Sequence, residues 1–370
     1  MYSQNDLDDA VAAGAISAES AAALRNYIEI QRSAPAVDEE QFRLITGFND
    51  IFVSIAAVIL LFAVGWIGQW IGDSLRTAID GDGPSFLAPA AVAATSWALA
   101  LFFTAKRRMA LPSILLLLSF VGGVFLTVAF ALVLAVGPDT LDNNPQLSGI
   151  LGAASGAVAA AAAWIHWKRF HVPITVAAGA AAVAAIAVSL LVAALGRTFD
   201  EARDLVLGFV LLLGVVTFLY AMRWDSSDPA RVTRRSDVAF WLHLLAAPMI
   251  VHPIFTLLGL NDGNATIGEG LVVILLYVVI GLSALAIDRR ALLVSALAYV
   301  LWALSDLFRQ FGAVELNVAL TALVIGSSLL LLSAFWHQAR AAVVKPLPES
   351  LRAKLPVLNR QALATSQPAA

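Results

Sequence analysis

Long apolar runs dominate this chain, and short islands of charge separate them. A bilayer core about 30 Å thick needs roughly 20 apolar residues in a helix, and the runs have that length. Of the 370 residues, 60% are hydrophobic and 13% are charged, whereas soluble domains have roughly 45–50% and about 25%. The pattern excludes a soluble protein and predicts an all-α polytopic transmembrane bundle.

Two other architectures are excluded by the same residues. A transmembrane β-barrel needs strands of alternating polarity, and residues 114–136 do not alternate. A signal peptide needs a basic segment before an apolar core, and the first 40 residues are instead acidic. The first apolar run, from Ile51, is therefore expected to remain as a span. Cysteine is absent, which removes disulfides, thiolate metal sites and cysteine nucleophiles.

The span length divides the apolar part of the chain into ten segments. Each is predicted to be helical because lipid offers no partner to an unpaired backbone amide. The predicted spans are 51–71, 86–105, 111–136, 147–167, 172–195, 205–222, 238–260, 267–287, 291–308 and 316–336.

Basic residues predict the orientation of these spans. Cytoplasmic connections carry an excess of Lys and Arg. The terminal segments and the even-numbered connections hold 19 of the 23 basic residues, and the other side holds only Arg76, Arg197, Arg203 and Arg309. Most tryptophans fall near predicted span ends, as expected for membrane interfaces. We therefore expect ten spans with both termini in the cytoplasm.

The sequence predicts three regions: a cytoplasmic helical element at 1–45, a transmembrane bundle at 46–338, and an irregular basic cytoplasmic tail at 339–370. In the first region, a break at Gly14 separates two short helices. Ser17 is placed to cap the second helix by accepting from its free amides. Four prolines interrupt the tail, and its basic residues are expected to lie along the inner membrane surface.

Residues 14–24 read Gly-x-Ile-Ser-x-Glu-x-Ala-x-x-Leu, and a linker and many apolar runs follow them. This arrangement resembles a group of uncharacterised bacterial polytopic inner-membrane proteins, a domain-of-unknown-function family with a short N-terminal cytoplasmic helical pair. The resemblance implies a multi-pass protein of the bacterial inner (cytoplasmic) membrane. It implies no active site.

Two histidines on the seventh predicted span are candidate functional residues, because ionisable groups inside a membrane are costly. His243 and His252 flank Pro248, and Pro253 follows. Each proline removes a backbone hydrogen bond, so freed carbonyls and an imidazole are a candidate ion or proton site. The alternative is that each histidine hydrogen-bonds across the bundle while the prolines shape the helix. Nine residues is roughly 900° of helical rotation, so the pair cannot jointly bind one metal ion on a straight helix.

Acidic residues dominate the predicted outer connections, and Asp306 at the end of the ninth span is the third pathway candidate. An electronegative face concentrates cations. The alternative is that these acids are what the positive-inside distribution leaves behind, since it discriminates little against Asp and Glu. A GxxxG pattern at Gly152 and Gly156 in the fourth span allows close helix packing.

The residues predict no catalytic group, metal site, haem or other cofactor, and no nucleic-acid partner. No P-loop, GxSxG or HExxH motif is present, and His166, His171 and His337 fall at the inner boundary of their spans. The expected partners are the lipid bilayer and a protein bound through residues 1–45; the oligomeric state is left open.

Three functional interpretations remain. One is a membrane-embedded enzyme, which needs a nucleophile or an acid–base pair at one depth of the bilayer, such as His252 with Asp306 in a shared pocket. The other two are favoured over it. The first of these is an integral membrane protein of unassigned activity with a structural, assembly or partner-binding role. The alternative is a small-solute or ion transporter with a site near the kinked seventh span, since ten spans can form two five-span halves of opposite orientation.

Overall fold

The computed structural model describes most of the apolar part of the chain and a short stretch near its N-terminus. Within the described residues, regular structure is helical apart from one isolated bridge between Ala78 and Ser85. Asp306 lies outside the described residues. The described residues are 11–24, 48–259 except 80, 82, 230 and 232, 267–290, 293, 297, 300, 301, 304, 305, 317–352, 355, 356 and 358.

The chain forms two compact units, Met1–Phe42 and Arg43–Ala370. In the first unit, Gly14 adopts a positive φ of 71°, which glycine reaches without strain, and residues 18–24 are helical. Ser17 Oγ accepts a hydrogen bond from the amide of Ser20 at 3.0 Å. The predicted Ser17 cap is therefore confirmed.

Ten helices of nine or more residues have defined bounds in the second unit. They are α1 (Phe48–Ser74), α2 (Leu87–Phe103), α3 (Ala110–Val136), α4 (Pro145–Phe170), α5 (Ile174–Leu195), α6 (Arg203–Ser226), α7 (Arg234–Leu257), α8 (Ile267–Ile287), α9 (Asn317–Ala334) and α10 (Trp336–Val344). Helices α1 to α8 fall on the first eight predicted spans, and α9 falls on the tenth. In the ninth predicted span the structure describes six residues, all of them helical.

Six of the described helices are long and apolar enough to cross a membrane: α1 and α3 to α7. A seventh is possible if α9 and α10, which are bent by 76° at their junction, form one broken span. Two shorter apolar helices are α2 and residues Leu271–Ile287 of α8. Large apolar side chains are also exposed along α1, where Phe62 and Trp66 are 71% and 70% exposed. Water does not favour such a surface, so these helices indicate association with a bilayer.

Close packing joins α4 to α5 through a row of glycines. A methyl group added at Gly149 would lie 2.5 Å from the carbonyl oxygen of Ser189, and one at Gly156 would lie 2.8 Å from Ile186 Cγ1. Gly152 faces the same helix, since a methyl group there would lie 2.8 Å from Ser189 Oγ. The close approach predicted from the GxxxG pattern is therefore present.

Helices α6 and α7 form a tight hairpin. A methyl group at Gly214 would lie 2.9 Å from the backbone of Met249, next to Pro248. Nearer the connection, Ala221 packs with Val238 and Leu242 in one buried cluster. Pro248 and Pro253 both lie inside α7.

One end of the bundle carries the basic connections, and we call it the basic end. Phe170, at the end of α4, packs against Ala100 and Leu116 of α2 and α3, while Trp167 packs against the cluster of α6 and α7. The chain after α9 also differs from the irregular tail expected. It contains α10 and a single helical turn at Glu349–Arg352.

Candidate functional site

Seven ionisable side chains meet inside the basic end, and we call them the buried charge network. They come from the α6–α7 hairpin, from the residues after α8, and from α10. None is more than 8% exposed. Three are carboxylates and three are guanidinium groups, so their formal charges balance. The members are Asp225, Asp228, Arg231, His243, Asp288, Arg289 and Arg340.

Asp225, near the end of α6, accepts hydrogen bonds from two partners. Arg289 approaches side-on, with Nη2 2.5 Å from Oδ1 and Nε 3.3 Å from Oδ2. The Nε2 of His243 lies 3.0 Å from Oδ2. An ionised carboxylate only accepts, so Nε2 of His243 carries the proton in this arrangement. Planar two-point contact between arginine and a carboxylate is the stronger and more directional form of ion pair.

His243 is fully buried on α7, and its two ring nitrogens, Nε2 and Nδ1, differ in their hydrogen bonding. Nδ1 has no hydrogen-bond partner among the described residues, and the ring of Phe218 packs at 5.1 Å between centroids. Asp225 therefore orients the imidazole through one nitrogen only.

Arg231, in the α6–α7 connection, binds the end of α8 with both terminal nitrogens. Nη1 donates to Asp288 Oδ2 at 3.1 Å, while Nη2 donates to the carbonyls of Ile287 and Asp288 at 2.9 and 3.0 Å. The last carbonyls of a helix lack partners within that helix, and a cation there is also favoured by the helix dipole. Arg231 thus caps α8 from a neighbouring hairpin.

Asp288 ends α8 in the left-handed region, with φ of 56°, a conformation uncommon for residues other than glycine. Its carboxylate is held from several sides. Besides Arg231, the indole Nε1 of Trp336 donates to Oδ1 at 2.8 Å, and Nε of Arg340 lies 3.7 Å from the same oxygen. These contacts fix the direction in which α8 ends.

Arg340 connects the network to the C-terminal segment. Its side chain is buried, and Nη2 donates to the carbonyl of Pro356 at 2.6 Å. Leu355 packs against the buried cluster that contains Ala247 and Trp336. Part of the segment predicted to lie on the membrane surface therefore packs against the basic end of the bundle.

Asp228 shapes the connection that presents Arg231. Its Oδ2 accepts from the backbone amide of Thr233 at 2.9 Å and from the Thr233 hydroxyl at 2.6 Å. Thr233 Oγ1 in turn caps α7 by accepting from the amide of Arg235 at 3.2 Å. The connection is thus folded on itself before it meets α8.

Among the described residues, two ion pairs join the hairpin to the end of α8, and we call them the crossed ion pairs. In one pair the hairpin supplies the acid, and in the other it supplies the base. The hairpin contributes the acid Asp225 and the base Arg231, while the residues after α8 contribute the base Arg289 and the acid Asp288. Arg289 also donates to the carbonyl of Ser236 at 2.9 Å. Consecutive residues of one helix end therefore bind opposite charges on the facing hairpin.

The structure describes two of the three predicted pathway residues, His243 and His252. His243 joins the network, whereas His252, on the same helix, is exposed and outside it. Asp306 lies outside the described residues. Sequence reasoning missed Asp225 and Asp288, because it weighed acids only on the predicted outer side. The sequence does contain an indication, since both aspartates stand among the arginines of the predicted cytoplasmic connections.

A second buried histidine belongs to an aromatic cluster. His166, on α4, lies within 6.1 Å of the rings of Trp97, Phe120 and Phe170, measured between centroids. Its Nδ1 is 3.3 Å from the hydroxyl of Thr175. In the described part of the chain, no three His, Asp or Glu side chains are placed to hold a metal ion.

No protein-family model matches this sequence, and neither a curated protein nor a solved structure matches it. We therefore infer the role of the network from its geometry.

Proposed function

We propose that this chain is a multi-pass membrane transporter for a small solute or an ion, and that the buried charge network closes its cytoplasmic end. The observation that carries the proposal is the pair of crossed ion pairs, Arg289 with Asp225 and Arg231 with Asp288. Both join the α6–α7 hairpin to the residues that end α8, so both break if that hairpin moves away.

Ion pairs suit a contact that has to open. The cost of taking two charges out of water can cancel or exceed the attraction between them, so a buried ion pair adds little net stability to the closed contact. An apolar interface of the same size would oppose opening, because it loses its full hydrophobic stabilisation on hydration. Transporters alternate by moving one bundle of helices against another. The crossed pairs themselves therefore add little to the cost of opening, and the main resistance comes from the apolar cluster that Ala247 forms with Leu285 and Trp336 beside them.

The α6–α7 hairpin has the rigidity that such a motion requires. The close contact of Gly214 with Met249 and the buried cluster around Leu242 join the two helices along their length. Asp225 and His243 are also paired within the hairpin. We propose that the hairpin moves as one body relative to α8 and α10.

The membrane topology is part of the proposal. We propose ten spans with both termini in the cytoplasm of a bacterial inner membrane, which places the basic end on the cytoplasmic side. The support is the coincidence of helices with the predicted spans and the concentration of Lys and Arg on one side. Transmembrane segments shorter than 20 residues, such as α2, fit this scheme if their ends extend into the interface.

Single-cysteine labelling tests the topology directly, since the natural chain has no cysteine. An impermeant maleimide added to intact cells should label Asp142→Cys and Arg197→Cys, and it should label Arg107→Cys and Ser227→Cys only after permeabilisation. All four positions are exposed. Labelling of Ser227→Cys in intact cells would contradict the orientation.

Reactivity of a cysteine behind the network tests closure. Ala246, one turn beyond His243 on α7, is fully buried. In inside-out vesicles, Ala246→Cys should react slowly with a charged thiol reagent and faster when Arg231→Gln is added. Ala163→Cys, equally buried on α4, is the matched control and should stay unreactive in both backgrounds. Equal rates at Ala246→Cys with and without Arg231→Gln would contradict the closing role.

A structural or partner-binding role is the second candidate, and one observation favours it. Residues Met1–Phe42 form a compact unit of their own, as expected of a module that recruits another protein. Under this role, deleting residues 1–45 should abolish crosslinking to that protein in cells while membrane insertion persists. Crosslinking that survives the deletion would count against it.

A further inference from the structure

The carboxylate of Asp225 has two partners that belong to different sides of the proposed opening. His243 lies on the same hairpin, with Nε2 3.0 Å from Oδ2. Arg289 follows α8, with Nη2 2.5 Å from Oδ1. If the hairpin moves away from the end of α8, the carboxylate loses Arg289 and keeps His243. The hairpin therefore carries this acid out of the closed contact without its arginine.

The two partners of Asp225 differ in whether their charge can change. A guanidinium group keeps its proton in proteins, whereas imidazole gains or loses a proton near neutral pH. The closed network is balanced without a charge on His243, because it contains three carboxylates and three guanidinium groups. In the closed state Arg289 is therefore the counter-charge of Asp225, and a neutral imidazole is sufficient beside it.

Among the described residues, three charged groups act on His243. Asp225 comes from α6, Arg289 follows α8, and Arg231 lies in the α6–α7 connection. The ring of Phe218 packs against the imidazole from α6. In the closed state two nearby cations therefore oppose a positive charge on the imidazole. Departure of Arg289 removes one of these cations and leaves the carboxylate, which favours the charged imidazole.

We propose that a proton on His243 replaces Arg289 as the counter-charge of Asp225 when the basic end opens, so that opening binds one proton. Nε2 keeps its hydrogen and still donates to Asp225, while the incoming proton binds Nδ1, which is buried in the closed state. Closure returns Arg289 to the carboxylate and releases the proton from Nδ1. The transported solute or ion is then coupled to a proton. This inference rests on the proposed function, because it requires the basic end to open.

Proton uptake on opening determines the direction of the pH dependence. The state that binds more protons is favoured as the pH falls, and one proton changes the ratio of open to closed protein by at most about tenfold per pH unit. Spin labels at Ser227→Cys and Gln338→Cys, both at exposed positions, measure this ratio by pulsed electron–electron double resonance in lipid nanodiscs. The population at the longer distance should rise severalfold between about pH 8 and about pH 6, the range in which imidazole titrates.

Histidine variants of the spin-labelled protein identify the titrating group. His243→Gln should keep both distance populations and lose their pH dependence, because the amide of glutamine can donate to Asp225 but does not titrate. Two other histidines are matched controls. His252→Gln changes an exposed histidine on the same helix, and His166→Gln changes an equally buried histidine on α4. Both controls should keep the pH profile of the natural sequence.

Arg289→Gln gives a second readout. Without the guanidinium group, the proton is the counter-charge of Asp225 in both states, so the pH dependence should become weaker. Populations that do not change with pH in the protein with native histidines would overturn the proposal. So would a full pH dependence in His243→Gln, since a carboxylate would then be the titrating group. Neither result bears on whether the basic end opens, because the presence of two populations and the Ala246→Cys rates test that separately.

Discussion

Arg289 binds Asp225 side-on across 64 residues of sequence, with one guanidinium nitrogen on each carboxylate oxygen. The same carboxylate also orients His243. Because the next residue towards the N-terminus, Asp288, binds Arg231 on the same hairpin, the end of α8 is attached to the hairpin through a pair of opposite charges. The proposed closure of the basic end depends on these two ion pairs.

Removing one partner of the Asp225 pair should destabilise the protein strongly. Asp225→Asn leaves Arg289 buried without a counter-charge, and breaking a buried pair in this way costs about 3–5 kcal/mol. Asp225→Leu combined with Arg289→Met should cost much less, because no unpaired charge remains. The free energy of unfolding in detergent, measured with denaturant, decides this. Asp142→Asn, at an exposed position at the end of the short helix Pro138–Asp142, is the control. A single-variant effect no larger than that of the control would contradict the prediction.

The second crossed pair should show energetic coupling. In a double-mutant cycle of Arg231→Gln and Asp288→Asn, we expect a coupling free energy of about 0.5–3 kcal/mol, the range found for residues in one network. A cycle of Arg231→Gln with Asp142→Asn should give a value near zero. If both cycles give the same value, Arg231 and Asp288 do not act as a pair in solution.

Glycine packing between α4 and α5 gives a prediction independent of the charges. Gly149→Ala should destabilise by about 1–3 kcal/mol, because its methyl group would overlap Ser189 and Ala193. Gly208→Ala, on α6, meets no atom within 4 Å and should be neutral or stabilising, since alanine is the better helix former. The shift in melting temperature of the two variants compares them directly. Equal shifts would show that α4 and α5 are not in close contact.

Truncation tests the contact of the C-terminal segment. Deleting residues 346–370 removes the Pro356 carbonyl that Arg340 binds and the apolar contact of Leu355. We expect a cysteine at Ala247, which is 1% exposed in the same cluster, to react faster with a thiol reagent in this variant. Deleting only residues 359–370 keeps both contacts and should leave the rate unchanged. The same rate in both truncations would show that the segment does not cover the cluster.

Helix positions could be predicted from the sequence because the bilayer fixes the length of an apolar helix. The runs that contain Phe62 or Leu117 show that length directly. His243 could also be singled out, since an imidazole within an apolar run is costly wherever its partner lies. The partner could not be predicted, because the pairing of Asp225 with Arg289 depends on how hairpins pack rather than on local spacing.

The role of the arginines in orienting the chain hid their second role as partners in buried ion pairs. In the sequence, Arg231, Arg289 and Arg340 indicate the orientation of the chain in the membrane, since basic residues accumulate in cytoplasmic connections. That assignment explains a surface charge and gives no reason to look for buried partners. The bend of 76° before α10 was likewise beyond local reasoning. It lies at Trp336, whose indole donates to Asp288 at the end of a helix distant in sequence.

A distance across the network is the most direct test of the central claim. Spin labels at Ser227→Cys, on the hairpin connection, and at Gln338→Cys, on α10, occupy exposed positions on the two sides of the crossed pairs. Pulsed electron–electron double resonance in lipid nanodiscs should show two distance populations. The combined variant Arg231→Gln and Arg289→Gln should increase the population at the longer distance. A single distance that is unchanged in this variant, in a folded and monodisperse protein, would contradict the proposed opening of the basic end.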